Sequence, residues 1–333
     1  MTNRCVACKR YIFLSVTVIT VTLIVAEAFC YIYYLELERQ WSVIKSSINH
    51  YYAKSPIIEL GYILKPNVSI VRDGKSLKIN DNGLRVSVKP TSRARSIVAL
   101  LGDSIVFGVG FSDENTLPSL LQNTINSHGD AVGVENFGVP GYASLELLKL
   151  LQLKSNLVRP TKIVYVLNAN DFTRRDSVYE GADNGLFRFY NPPASKALWI
   201  FRKSVYRLKK SRTLGTTISH NGAQIISWYK WLFQGNKDAV FEDIQAMKRF
   251  CDTQNIGIAV LPVPPGSALG EKRFALYKEY DQLYKFLKDS NIPVIDVLDQ
   301  LSAELFDDTD HLTVAGNKLL AKSIWKYLRK PEQ

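Results

Sequence analysis

Cysteine occurs only four times in 333 residues, at positions 5, 8, 30 and 251. That number and scatter exclude a disulfide-stapled scaffold. Cys5-x-x-Cys8 has no second ligand pair and reads as inert, and Cys251, alone on a predicted helix, reads as a small buried hydrophobe. Histidine is equally scarce, with four residues in the chain, so any chemistry that needs an imidazole has few places to occur. Acid is in deficit: 31 Asp and Glu face 42 Lys and Arg, for a net charge of +11. The excess fits an anionic partner, whether nucleic acid, a membrane surface or an acidic substrate, and charge alone does not choose among them. Hydrophobic residues at 46% and charged residues at 22% exclude a disordered or collagen-like chain. No internal repeat or low-complexity tract is present.

One long apolar run stands at the N-terminus. Residues 11–35 are apolar apart from Glu27 and a few Ser and Thr. As a helix they reach roughly 37 Å, enough to cross a bilayer core with some tilt. Arg4, Lys9 and Arg10 precede the run, while Glu36, Glu38 and Arg39 follow it. The positive-inside rule then keeps residues 1–10 in the cytoplasm and places the remainder outside it, on the periplasmic side of an inner membrane. This topology argues against a nucleic-acid partner. Glu27 falls in the outer part of the span, where its carboxylate reaches toward the headgroups. A signal peptide cleaved at Ala26-Glu27-Ala28 is the competing reading, but the apolar stretch continues past that site to Leu35.

Beyond the anchor, residues 36–92 read as a stalk and an N-terminal extension with hairpin turns at Lys65-Pro66-Asn67, Asp73-Gly74 and Asp81-Asn82-Gly83. Residues 93–330 read as one α/β domain. Strands are predicted at 97–101, 132–136, 162–167, 256–261 and 292–297, with helices at 117–125, 145–157, 238–254, 271–289 and 313–329. Continuous apolar strands alternating with helices point to a parallel, doubly wound sheet, whose sites gather at the carboxyl ends of the strands.

Two of those ends carry chemistry. Gly102-Asp103-Ser104 follows the first strand and sets a hydroxyl at the start of a helix, where backbone N–H groups can meet an oxyanion. The turn is neither a Gly-x-Ser-x-Gly elbow nor a Gly-Lys-[Ser/Thr] phosphate loop, and Gly108-x-Gly110 lacks the third glycine of a dinucleotide fingerprint. A serine nucleophile needs a base. His50 falls in the stalk, His128 at a helix end and His220 in a loop, whereas His311 opens the last helix with Asp308 three residues before it. Asp308 is placed to orient the imidazole. Helix capping would account for Asp310 or Thr313.

These blocks resemble those of the SGNH (GDSL-type) hydrolase superfamily, in its membrane-anchored bacterial branch. Gly102-Asp103-Ser104 matches the nucleophile block, Asn136-x-Gly138 with Gly141 the second, Asn168-Ala-Asn170-Asp171 the third, and Asp308-x-x-His311 the fourth. Asn168 stands where that family has glycine. Glu59-Leu-Gly-Tyr62 and Asn80-Asp-Asn-Gly83-Leu-Arg85 add to the resemblance upstream. The resemblance implies a flavodoxin-like sheet and a serine esterase with no cofactor and no metal. It makes Ser104 the nucleophile, His311 the base and Asp308 its partner, with an oxyanion hole from Ser104, Gly138 and Asn170. Asp103 and Asp171 are expected to be structural turn residues. The implied substrate is an O-acetyl or other O-acyl ester on an envelope glycan. Acyl transfer to a sugar, lipid ester hydrolysis and non-catalytic glycan binding are the alternatives.

An insertion is expected at about 172–237. Arg202, Lys203, Arg207, Lys209, Lys210 and Arg212 place six positive charges in eleven residues there. Trp199, Phe201 and Tyr206 flank or interleave them, and Trp228, Tyr229, Trp231 and Phe233 follow. This stretch is either a solvated face whose aromatics pack on the core, or a cap that meets anionic headgroups or an acidic glycan.

Overall fold

The computed structural model describes residues 2–48, 50–91, 93–173, 192–214, 222–270 and 274–330. It opens with one long helix, α1 (Thr2–Ile48), in which Tyr11–Leu37 is apolar and long enough to cross a membrane. Phe13, Leu23 and Phe29 on this stretch are exposed, as lipid-facing side chains would be. Residues 36–48 continue the same helix before the chain turns into two small antiparallel pairs. These are β1 (Tyr52–Lys54) with β2 (Tyr62–Leu64), and β3 (Val68–Arg72) with β4 (Lys75–Ile79). Asp73 and Gly74 make the second hairpin's turn in the left-handed region, at φ of 52° and 73°.

The body is a parallel sheet of β5 (Ser96–Gly102), β6 (Val132–Gly138), β7 (Lys162–Asn168) and β8 (Gly257–Val263), in the order β6-β5-β7-β8. Side chains alternate between its faces. Val98, Leu100, Val164 and Val166 pack with α3 (Leu117–Ser127) and α8 (Val314–Leu328). Ala99, Leu101, Ile163 and Tyr165 pack on the other side with α4 (Ser144–Val158), α6 (Gly222–Thr253) and α7 (Tyr277–Asp289). Both faces are covered, so β5, β7 and β8 are largely apolar rather than alternating, while β6 at the margin carries Glu135 and Asn136. A fully buried Leu or Val contributes about 1.5–3 kcal/mol, which makes this double core the main support of the fold.

Three elements differ from the sequence-based expectation. Residues 292–297 form no strand; they touch the sheet through a single parallel bridge between Val260 and Val294. Pro293 has no N–H to donate, so the ladder cannot extend there. The helix expected from 238 starts at Gly222, because Tyr229, Leu232, Phe233, Val240, Ile244 and Met247 carry one apolar stripe along its whole length. The last part of the expected insertion is therefore the first half of this crossover helix, and Tyr229 and Phe233 pack into the core. The helix expected from 271 starts at Tyr277, and 271–273 lie outside the described residues. Within the insertion, α5 (Lys196–Leu214) is described, while 174–191 and the loop with His220 lie outside the described residues, as do the side chains of Cys5, Cys8, Tyr206, Lys209, Lys210 and Arg212.

Candidate active site

Ser104 begins a one-turn helix, α2 (Ser104–Phe107), directly at the carboxyl end of β5. The turn is tight because its glycines allow close approach. A Cβ on Gly102 would lie 2.6 Å from Val106, and one on Gly138 would lie 2.1 Å from the Phe107 backbone nitrogen. Asp103 caps the turn: its carboxylate accepts from the Ile105 N–H at 3.0 Å and from Asn170 Nδ2 at 2.7 Å. Asp103 is buried, and these donors give its carboxyl group the partners that a buried polar group needs.

Below the turn lies Arg85, which is only 1% exposed. Its guanidinium donates to the carbonyls of Phe107 at 3.0 Å, Gly108 at 2.7 Å and Phe111 at 2.6 Å, and pairs with Asp113 at 3.0 Å. A cation thus closes the carbonyl end of α2. Burial pushes the guanidinium pKa down, and the Asp113 carboxylate works against that shift. Tyr62 and Tyr142 fasten the neighbouring turn, Tyr62 OH donating to the Pro140 carbonyl at 2.7 Å and Tyr142 OH to the Tyr62 carbonyl. The two upstream segments, around Tyr62 and Arg85, therefore underpin the site rather than line it.

The opposite wall is the loop before α8. Asp307 N–H donates to the His311 carbonyl at 2.8 Å, closing residues 307–311 on themselves. Asp308 Oδ1 accepts the N–H groups of Asp310 and His311, each at 2.8 Å, and Oδ2 meets His311 Nδ1 at 2.8 Å. His311 Nε2 is 3.0 Å from Ser104 Oγ. Burial alone would raise the Asp308 pKa, but the two backbone N–H groups and the imidazole outweigh it and hold the carboxyl below its ordinary value. An ionised Asp308 accepting Nδ1–H leaves Nε2 as the acceptor for the serine proton. The hydroxyl has a second acceptor in Asp103 at 3.2 Å. Asp310 does not cap α8; Thr313 does, accepting the Gly316 N–H at 3.1 Å. Asp310 instead accepts the phenol of Tyr229 from α6, and burial raises the Asp310 pKa.

The expected residues Ser104, His311, Asp308 and Asn170 come together. Gly138 does not join them: its N–H donates to Asn136 Oδ1 at 2.9 Å, and both residues are buried. The placement of Gly138 in an oxyanion hole rests on the resemblance alone; in the structure this glycine lets the end of β6 pack against α2. Asn168 has an extended backbone, φ −105°, so no left-handed conformation is required there. Asp171 is buried and accepts from Tyr165 OH at 2.9 Å and from Asn168 N–H at 3.0 Å. Burial and the nearby Asp103 raise its pKa well above the usual carboxylate range. His50 is exposed after α1, and His128 stacks on Trp325 at 4.0 Å, away from Ser104. Sequence reasoning missed Tyr229, whose partner is 81 positions away, and the structural role of Arg85. Among the described residues no group of three or more His, Cys, Asp or Glu is arranged to hold a metal ion.

Chemically, the arrangement is a hydroxyl with an adjacent proton acceptor and a carboxylate behind it. Similar folds occur among solved structures. An acetyl xylan esterase, AlAXEase, aligns over 70% of this chain and 99% of its own at 17% identity and a TM-score of 0.46. A lipase/acylhydrolase from Enterococcus faecalis aligns over 72% and 99% at 19% and 0.43. The psychrotrophic esterase EstA from Pseudoalteromonas sp. aligns over 71% and 100% at 14% and 0.44. No curated protein sequence matches the chain. Residues 100–319 match the GDSL-like Lipase/Acylhydrolase family, a span that includes the serine turn, the Asn170 turn and the histidine loop. The chain belongs to that family and is a serine hydrolase acting on ester bonds.

Proposed function

We propose that the protein removes O-acyl groups, acetyl foremost, from a glycan outside the cytoplasm, with Ser104 as nucleophile. The observation that carries this reading is the unbroken chain from Asp308 through His311 to Ser104, with links of 2.8 and 3.0 Å. Ser104 Oγ attacks the ester carbonyl while His311 Nε2 takes its proton. The same proton then passes to the departing sugar hydroxyl, leaving an acyl-serine. Water, deprotonated by His311, releases the carboxylic acid and restores the serine. The negative oxygen is met by the Ser104 N–H and by Asn170 Nδ2, one hydrogen of which is held by Asp103. The glycan ester is favoured by the openness of the site: the side chains of His311 and Asp308 are 32% and 57% exposed, which suits a small group carried on a polymer.

The test uses the full-length protein in detergent or nanodiscs. A serine-reactive fluorophosphonate is expected to label it and not its Ser104→Ala variant. Among acetylated polysaccharide, acetylated peptidoglycan, phospholipid and aryl esters, the acetylated glycans should turn over fastest, releasing free acetate without an acceptor sugar. Asn170→Ala is expected to lower kcat about 10²–10³-fold. Labelling that survives in folded Ser104→Ala would overturn the assignment.

A further inference from the structure

The apolar stretch of α1 is exposed on nearly all sides, and the exceptions follow a pattern. Among the described side chains of Tyr11–Leu37, only Glu27, Cys30, Tyr34 and Leu37 are buried or half-buried. Their spacing of three, four and three residues puts them on one helical face. That face meets the start of α5. Glu27 accepts from the backbone N–H of Lys196 at 2.6 Å, from that of Ala197 at 3.1 Å and from Ser195 Oγ at 3.0 Å. Tyr34 meets Trp199 edge-on, with ring centroids 5.6 Å apart. Lys196 Nζ lies 5.8 Å from the Tyr31 ring centroid and 5.4 Å from that of Tyr34. Here the carboxylate is not reaching for headgroups. It supplies the acceptors that the first N–H groups of a second helix need, and in hydrocarbon those groups would find no water.

The rest of α5 fits the same setting. Leu198, Phe201, Val205 and Leu208 recur at helical spacing on one side, and Leu198, Phe201 and Leu208 are 51%, 65% and 58% exposed. Arg202 and Arg207 are exposed to either side of this stripe. A helix with an exposed apolar stripe flanked by cations is suited to lie in a bilayer interface. Continuity decides the occupant. The stripe starts beside Glu27, inside the apolar stretch of α1, so lipid that surrounds α1 there also reaches α5.

We propose that α5 is a second membrane element: it lies in the outer leaflet of the bilayer crossed by α1, docked by Glu27, with its basic residues on anionic headgroups. The anchor is then a structural part of the enzyme, fixing the domain's height and tilt above the membrane. This inference holds whichever ester the site takes.

The test uses the full chain with Cys5, Cys8, Cys30 and Cys251 replaced by serine and Phe201→Cys carrying an environment-sensitive fluorophore. It is reconstituted into nanodiscs of phosphatidylethanolamine and phosphatidylglycerol. Doxyl-labelled phospholipid is expected to quench the fluorophore strongly, and aqueous iodide hardly at all. In the Glu27→Leu background, which still crosses the membrane, lipid quenching should fall severalfold and iodide quenching rise. Efficient iodide quenching with Glu27 present would overturn the proposal, as would a mature N-terminus at Phe29, which lacks the cap. Identical quenching with Glu27 and with Glu27→Leu would overturn the docking role of the carboxylate. A bismaleimide link between Tyr34→Cys and Trp199→Cys, formed with Glu27 and lost with Glu27→Leu, reports the contact independently of lipid.

Discussion

The turn carrying Ser104 is enclosed, while the loop carrying His311 lies open to solvent. Asp103 and Arg85 under the serine are each 1% exposed, whereas the side chains of His311 and Asp308 are 32% and 57% exposed. The serine turn is held by backbone packed against backbone at Gly102 and Gly138 and by a buried guanidinium. The histidine loop is held by hydrogen bonds, many within its own few residues. The difference suits the two proposed tasks, Ser104 as nucleophile and His311 as base. A nucleophile must stay within tenths of an ångström of its attack position, and close packing gives that rigidity. An imidazole that moves a proton first one way and then the other gains from a looser mount.

That contrast can be broken in a graded way. The largest effect is expected at the open side: His311→Ala should lower kcat by about 10⁴–10⁶-fold while the Tm stays close to that of the parent, because few packed atoms are removed. Asp308→Ala should leave more residual activity. Arg85→Met should do the reverse. Removing the buried cation takes the ion-pair partner from Asp113 and a donor from the carbonyls of Phe107, Gly108 and Phe111, and a stability loss of about 3–5 kcal/mol is expected in denaturant unfolding. Tyr229→Phe tests the hydrogen bond from α6 to Asp310 in the loop. A loss of about 1–2 kcal/mol is expected, with a few-fold drop in kcat and little change in KM.

The smallest effects are the pH slopes, and they run in opposite directions. Asp171, on the enclosed side, has its folded pKa raised, so its contribution is full below the unfolded value and declines as pH rises through the folded one. The Tm of the parent relative to Asp171→Asn should therefore fall as pH is raised from about 4. Asp308, on the open side, has its folded pKa lowered, so its contribution is present above the unfolded value and is lost on acidification. The Tm advantage of the parent over Asp308→Asn should shrink below about pH 4. Slopes of the same sign in both series would contradict the contrast.

Much of this was legible in the chain. β5, β7 and β8 are apolar runs because both sheet faces are covered, and α3, α4 and α8 begin and end within a residue or two of their predicted bounds. Ser104, Asn170, Asp308 and His311 stand out as candidates in the sequence because each lies in a short block at the end of an element. The direction of an N–H could not be read. Gly138 stands in the second block, and no local pattern told that its amide meets Asn136. Long-range partners were equally hidden: Tyr229 meets Asp310, Arg85 meets the carbonyls of Phe107 and Gly108, and Glu27 meets Lys196 across 169 positions. Such pairings depend on how finished elements pack, and no local pattern encodes them. The missing strand at 292–297 goes with two prolines, Pro293 in the segment and Pro262 on β8, neither of which has an N–H to extend the ladder from the Val260–Val294 bridge.

The two margins of the sheet bear on how the protein tolerates crowding. β8 is bordered by the lone bridge from Val260 to Val294, and β6 by a lone antiparallel bridge between Arg85 and Asn136. An uncovered outer strand is a template on which another copy can add its own, and chains held side by side on a surface would meet that risk constantly. Here the row of amides and carbonyls on each side is interrupted by a crossing segment, one of them carrying a proline and the other a buried arginine. The interruptions lower the chance that neighbouring copies zip together, so the price of a short sheet is offset by resistance to aggregation.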